Sequence, residues 1–146
     1  MKQINNILFP LDLDSDFETL LPLVRSFAAQ FNATVYLLFV VQDLPTFINF
    51  YVPHCDIENF QGKVQMAAKG KMAAAVKEFF KGFQKLETKV EFGNPAKIIL
   101  EFAKKEQIDL IIMGTQGRKG VERAIFGSVA LKVVQDAPCP VVTIRP

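Results

Sequence analysis

Apolar side chains change their spacing repeatedly along this chain, and each change marks a new element. Ile4 to Leu11 reads as a strand that ends at Pro10 or just after it, with Asp12 immediately beyond. Phe17, Leu20, Leu21, Val24, Phe27, Ala28 and Phe31 then recur at steps of three and four, which predicts one face of a helix. Pro22 sets the start of that helix late, with Thr19 as its candidate N-cap, because proline is tolerated where its missing N–H would have had no partner. Thr34 to Val41 is a β-branched and aromatic run without polar alternation, the pattern of a strand covered on both faces in a parallel sheet. Residues 42–61 carry two prolines and a group of aromatics and read as a long connection. Val64, Ala68, Met72, Val76, Phe79, Phe80 and Phe83 restore the helical period, and Thr88 to Phe92 alternates as a short strand.

Asn94 followed by Pro95 is a helix start, with asparagine as cap and proline at the first helical position, and Ile98, Ile99, Phe102 and Ala103 supply the buried face. Ile108 to Met113 is a further buried strand. A short helix holding Val129, Val133 and Val134 leads to a last strand, Pro140 to Ile144. Strands that alternate with helices in this way predict an α/β fold: a doubly wound, five-stranded parallel sheet with right-handed crossovers and helices on both faces. In such folds ligands bind beyond the carboxyl ends of the strands, where the sheet order reverses. With the order 3-2-1-4-5, that crevice falls between Pro10–Asp12 and Met113–Gly117.

Composition narrows the class. The chain has 146 residues, half of them apolar and 22% charged, with a net charge of +2, which suits one domain with a sizeable core and excludes extended disorder. No apolar run reaches the roughly 18 to 20 residues that span a bilayer, and the start, MKQINNILFPLDLDSD, has no stretch like a secretory signal, so a cytoplasmic location is the expectation. Cys55 and Cys139 belong to no CxxC or Cys/His cluster, so neither a disulfide framework nor a zinc site is indicated. Cys139 reads as a small buried residue and His54, the only histidine, as an exposed residue of the connection. Residues 1–62 are net acidic and residues 63–146 net basic, which makes the second half the better place for an anion. Lysines over 63–105 fall between apolar positions without clustering, the solvated faces of helices, and nucleic acid is not an expected partner.

Gly114-Thr115-Gln116-Gly117 directly follows a buried strand, and Gly127-Ser128 opens the last helix. Glycine at 114 and 117 lets the backbone turn and approach a ligand without a Cβ in the way. Gly127 and Ser128 would bring free N–H groups, a hydroxyl and the positive end of a helix dipole together, which suits phosphate oxygens. The same residues also fit a plain turn and a helix cap. The loop is neither GxxxxGK[ST] nor GxGxxG.

The stretch IIMGTQGRKGVERAIFGSVALKVVQDAPCPVVTIRP, residues 111–146, resembles the C-terminal half of the universal stress protein family, including its G-x2-G-x9-G-[ST] nucleotide-binding motif. ILFPLDLDSD, LLFVV and GNPAKIIL extend the resemblance over nearly the whole chain. The resemblance implies ATP binding, with Gly114 and Gly117 along the ribose and phosphates and Gly127, Ser128 and the backbone of Val129 holding the phosphate tail. It places Asp12 and Val40 at the adenine side, with Pro10 and Met113 lining the crevice. Gln116 stands where many relatives have histidine, and Ser15 is displaced by one position from the family's common Asp-x-Ser. Asp14 and Asp16 could ligate a nucleotide-bound Mg²⁺ or could simply be solvated, and Arg118, Lys119 and Arg123 could reach the phosphates or serve a partner surface. The resemblance also implies a homodimer formed through the C-terminal strand.

Three functions are open on these grounds. The chain could be an ATP-dependent switch without rapid catalysis, since no nucleophile–histidine–acid set can be assembled around one histidine. It could be an adaptor for an unknown protein partner, with Phe47, Phe50, Tyr51 and Phe60 as an apolar patch and the nucleotide site incidental. It could be a slow ATP hydrolase.

Overall fold

The computed structural model describes residues 2–13, 15–42, 54–115 and 127–145. Five parallel strands form one sheet: β1 (Asn6–Pro10), β2 (Thr34–Val41), β3 (Leu86–Phe92), β4 (Leu110–Gly114) and β5 (Val141–Ile144). Their order is β3-β2-β1-β4-β5, the order taken for the sheet above. Among the described residues four α-helices connect them: α1 (Leu21–Phe31), α2 (His54–Phe79), α3 (Pro95–Lys105) and α4 (Ser128–Asp136).

Side-chain alternation along the strands divides the core in two. Ile7, Phe9, Val35, Leu37, Leu110 and Ile112 point to one face, where Leu21 and Val24 of α1 and Met72 of α2 cover them. Leu8, Leu38, Ile111 and Met113 point to the other, beneath Ile99, Phe102 and Ala103 of α3 and Ala130 and Val133 of α4. Both faces of the central strands are therefore dry, which is why β2 carries no polar alternation.

Local chemistry accounts for the helix ends. Asn94 caps α3 with its side-chain oxygen, which accepts from the Lys97 amide at 3.1 Å, and Pro95 occupies the first turn. Asn32 ends α1 in the left-handed conformation (φ 51°), and the amide of Ala33 reaches back to the carbonyl of Ala28. Arg25 closes α2 from outside: its guanidinium donates to the carbonyls of Phe79 and Lys81, both at 2.8 Å, and lies 4.6 Å over the Phe83 ring. Gly93, between β3 and α3, has φ 143°, and a Cβ there would stand 3.2 Å from two carbons of Ile98, so this turn excludes any side chain.

Four expectations need correction. Thr19 is not a helix cap: Phe17–Leu20 forms a 3-10 turn, the Thr19 hydroxyl donates to the Asp16 carbonyl, and Leu20 holds the N-cap position. A short local turn satisfies that hydroxyl before the α-helix begins at Leu21. His54 is the first residue of α2 rather than part of the connection. The helical period read as far as Phe83 stops sooner: α2 ends at Phe79, and the Phe83 amide donates to the Phe80 carbonyl in a turn. Cys139 is half-buried at the margin of the second core.

At the amino edge of the sheet, Asp109 ties the chain's first residues to the α3–β4 turn. Its carboxylate accepts the amides of Asn5 (2.9 Å) and Asn6 (3.0 Å), with Lys2 Nζ at 3.2 Å. The Asp109 amide in turn donates to the Asn6 carbonyl. Burial pushes this carboxyl up, but the two amides and the Lys2 ammonium outweigh it and hold it below its ordinary value. A carboxyl depressed in the folded state contributes stability in full above its unfolded pKa and loses it as pH falls through the native value. Asp109→Asn is therefore expected to cost about 1–3 kcal/mol at neutral pH and to flatten the acid limb of stability against pH, as measured by urea unfolding. An acid limb as steep as the parent's would show that another carboxylate controls it.

Candidate functional site

The β1–β4 ladder covers only Ile7–Leu8 against Leu110–Ile111, whereas the β1–β2 ladder reaches Pro10 against Leu38. β1 and β4 therefore part toward their carboxyl ends, at the place where strand order reverses. Carrying both registers forward sets Pro10 level with Met113, and Asp12 level with Val40 on one side and Thr115 on the other. Five of the expected site residues, Pro10, Asp12, Val40, Met113 and Gly114, thus converge on this edge.

Their surroundings differ. Pro10, Asp12 and Val40 are half-buried. The Asp12 carbonyl accepts both the amide (3.1 Å) and the hydroxyl (2.8 Å) of Ser15, which folds the loop after β1 into a tight turn. Ser15 therefore has a structural task there. Met113 is buried in the α3/α4-side core, beneath the crevice. Gly114 is the last residue of β4, in register with Ile144, so the chain turns after it, at Thr115.

Thr115 fastens the site to its surroundings. Its amide donates to the Ile144 carbonyl at 3.0 Å, and its carbonyl accepts the Gly127 amide at 2.6 Å. This corrects the expectation that the Gly127 N–H is free for a ligand: it is committed to the end of β4. Gly127 is the N-cap of α4 in an extended conformation (φ −69°, ψ 159°), and Ser128 is the first helical residue. The ladder of α4 begins with the Leu131 amide on the Gly127 carbonyl, so the amides of Ser128, Val129 and Ala130 precede it and point out of the helix end. Ser128 is exposed, Val129 half-buried and Ala130 buried. With the dipole behind them, these three N–H groups make the start of α4 an end suited to an anion.

Gly117, Gln116, Arg118, Lys119, Arg123 and Asp14 lie outside the described residues, as do Phe47, Phe50 and Tyr51. Phe60 is 40% exposed on α2. Among the described residues no group of three or more metal-ligating side chains comes together, and no helix is long and apolar enough to cross a membrane. A groove of about 330 Å³ lies elsewhere, between β3 and α3, where Tyr36, Glu87, Lys89, Glu101 and Lys105 give it mixed charge. It contains none of the expected site residues. Burial, then the charge of Asp109, raises the Cys139 thiol above its ordinary value, which favours its protonated form.

Comparison with known proteins matches this geometry to a family. A universal stress protein of Methanocaldococcus jannaschii is 35% identical over 122 residues, covering 81% of this chain and 68% of its own. The solved universal stress protein UspA of Lactobacillus plantarum superposes with a TM-score of 0.79 at 28% identity, over 99% of this chain and 100% of its own. The universal stress protein of Archaeoglobus fulgidus, solved in complex with dAMP, shares the fold at a TM-score of 0.66 and 22% identity, over 99% of this chain and all of its own. The family's sequence model matches residues 3–145, from before β1 to the residue after β5, and the chain belongs to the universal stress protein family.

Proposed function

We propose that the chain is one adenine-nucleotide-binding domain that works as a regulatory switch in a stress response, with ATP as its nucleotide and no rapid catalysis. The observation that carries this reading is the set of three outward amides at the start of α4, held against the parted ends of β1 and β4 by the Gly127–Thr115 bond. A triphosphate tail at that end would accept from Ser128, Val129 and Ala130, while Asp12 and Val40 flank the position of the base. Gly114 and Gly117 would pass beneath the ribose and phosphates. Mg²⁺ retains several waters and needs only one or two carboxylates besides the phosphates, for which Asp14 and Asp16 in the sequence after β1 are the candidates. Such an ion would neutralise phosphate charge.

β5 lies at the open edge of the sheet, with Val141, Val142 and Ile144 only half-buried and Leu131 and Val134 of the adjoining α4 48% and 45% exposed. An apolar edge of this kind supports pairing with a second copy through β5. In the switch, bound nucleotide changes the surface offered to the second copy or to another protein. Exposed Phe60 keeps the adaptor reading as the alternative.

Isothermal titration of nucleotide-stripped protein with ATP and Mg²⁺ tests the assignment. Saturable heat at sub-millimolar ATP is expected, and its absence at that concentration would leave the adaptor. Sedimentation of the same sample is expected to give twice the chain mass, and a single-chain mass at micromolar concentration would refute pairing through β5.

A further inference from the structure

The structure assigns Thr115 as a ligand-binding residue, its hydroxyl contacting a phosphate oxygen of the nucleotide at the start of α4. The inference rests on the nucleotide reading above and adds a side-chain contact to a site otherwise built from backbone amides.

Thr115 is 94% buried, being only 6% exposed, and Oγ1 has no hydrogen-bond partner among the described residues. Among the described residues it is the one buried polar side chain. Buried hydroxyls are ordinarily paired, because desolvating one without a partner opposes folding. Valine has nearly the same shape and would fill the same space without that cost. A threonine here therefore points to a use that the described groups do not supply.

Its position indicates the use. The Thr115 amide extends the β4–β5 ladder by one step through the Ile144 carbonyl. Alternation along β4 then puts its side chain on the face of Ile111 and Met113, the face that α4 covers. The Thr115 carbonyl holds the N-cap of α4 at 2.6 Å, which sets the residue directly against the end where the Ser128, Val129 and Ala130 amides emerge. Both backbone groups of Thr115 are thus occupied, and the hydroxyl is its remaining donor. A bound phosphate oxygen at the helix end would accept from it as from the neighbouring amides.

Thr115→Val and Thr115→Ser are to be compared with the parent by ATP titration and by thermal unfolding without nucleotide. Thr115→Val is expected to weaken ATP binding about tenfold, while its unfolding midpoint without ligand stays the same or rises by about 1–4 °C. Thr115→Ser, which keeps the hydroxyl, is expected to bind within about threefold of the parent. Parent-like ATP affinity in Thr115→Val would overturn the assignment while leaving the nucleotide reading intact. A lowered midpoint in Thr115→Val would equally overturn it, by showing that the hydroxyl serves the fold. Absence of ATP binding by the parent chain would remove the nucleotide reading and this contact together.

Discussion

Replacing Phe80 with alanine is expected to lower the unfolding free energy by about 3–5 kcal/mol. Phe80 is 3% exposed and follows the last residue of α2, its amide still bonded to the Val76 carbonyl. Its ring lies nearly parallel to that of Phe17 (6.4 Å between centroids, 11° between planes), 6.4 Å from Phe9 and 5.4 Å from Phe83. Phe79 meets Phe17 edge-on at 5.2 Å. One side chain thus joins β1, the 3-10 turn ahead of α1 and the end of α2, elements far apart in sequence. Truncation would leave a ring-sized cavity between parts that cannot close up together. Phe80→Leu, which refills most of the volume, is expected to cost about 1–1.5 kcal/mol. Urea unfolding measures both, as a shift of midpoint at constant slope. A loss below about 1 kcal/mol for alanine would mean that the aromatic group relaxes as a unit and does not hold these elements in place.

That cluster also shows where reading the chain succeeds. Apolar spacing identifies Phe17, Phe79, Phe80 and Phe83 as inward-facing, since periodicity records which side of an element is dry. It does not record which rings meet, because that depends on how the sheet brings the elements together. The two-sided core was legible for a related reason: β2 and β4 lack polar alternation, which only a sheet covered on both faces allows. Asn94-Pro95 was legible because a cap and a first-turn proline act within four residues. The 3-10 turn at Phe17–Leu20 and the start of α2 at His54 were not, as both depend on weak local preferences. Arg25 closing α2 and Asp109 anchoring Asn5 and Asn6 bridge 54 or more positions in the chain, and no local pattern announces such pairs.

The candidate site divides along the same line. The crevice expected of a doubly wound sheet pointed to Pro10–Asp12 and Met113–Gly114, the family resemblance added Val40, and strand register sets these residues at one edge. Spacing could not tell which amides are available. Gly127 looked like a free donor beside Ser128, yet its N–H is the one that ties α4 to β4. Thr115 was passed over because, between two glycines of a motif, it looks like a spacer. Its burial without a partner is a property of the packed state alone.

Gly127→Asp separates the proposed function from the fold most sharply. Gly127 is extended, so an L-residue can take its conformation without strain, and its backbone bond to Thr115 would persist. Aspartate is a favoured N-cap: its carboxylate would accept from the amides of Val129 or Ala130 and complement the dipole of α4. The unliganded variant is therefore expected to match the parent in stability or exceed it by up to about 1 kcal/mol. The same carboxylate would occupy the amides assigned to phosphate and set a negative charge against the polyanion, so ATP affinity is expected to fall at least ~100-fold. Thermal unfolding with and without millimolar ATP reads both effects, because a ligand raises the midpoint only where it binds the folded state. Gly127→Ala, which adds a Cβ without charge, controls for bulk at the same position. Should Gly127→Asp keep the parent's ATP-dependent rise in midpoint, the nucleotide does not engage the start of α4, and the outward amides of Ser128, Val129 and Ala130 serve something else.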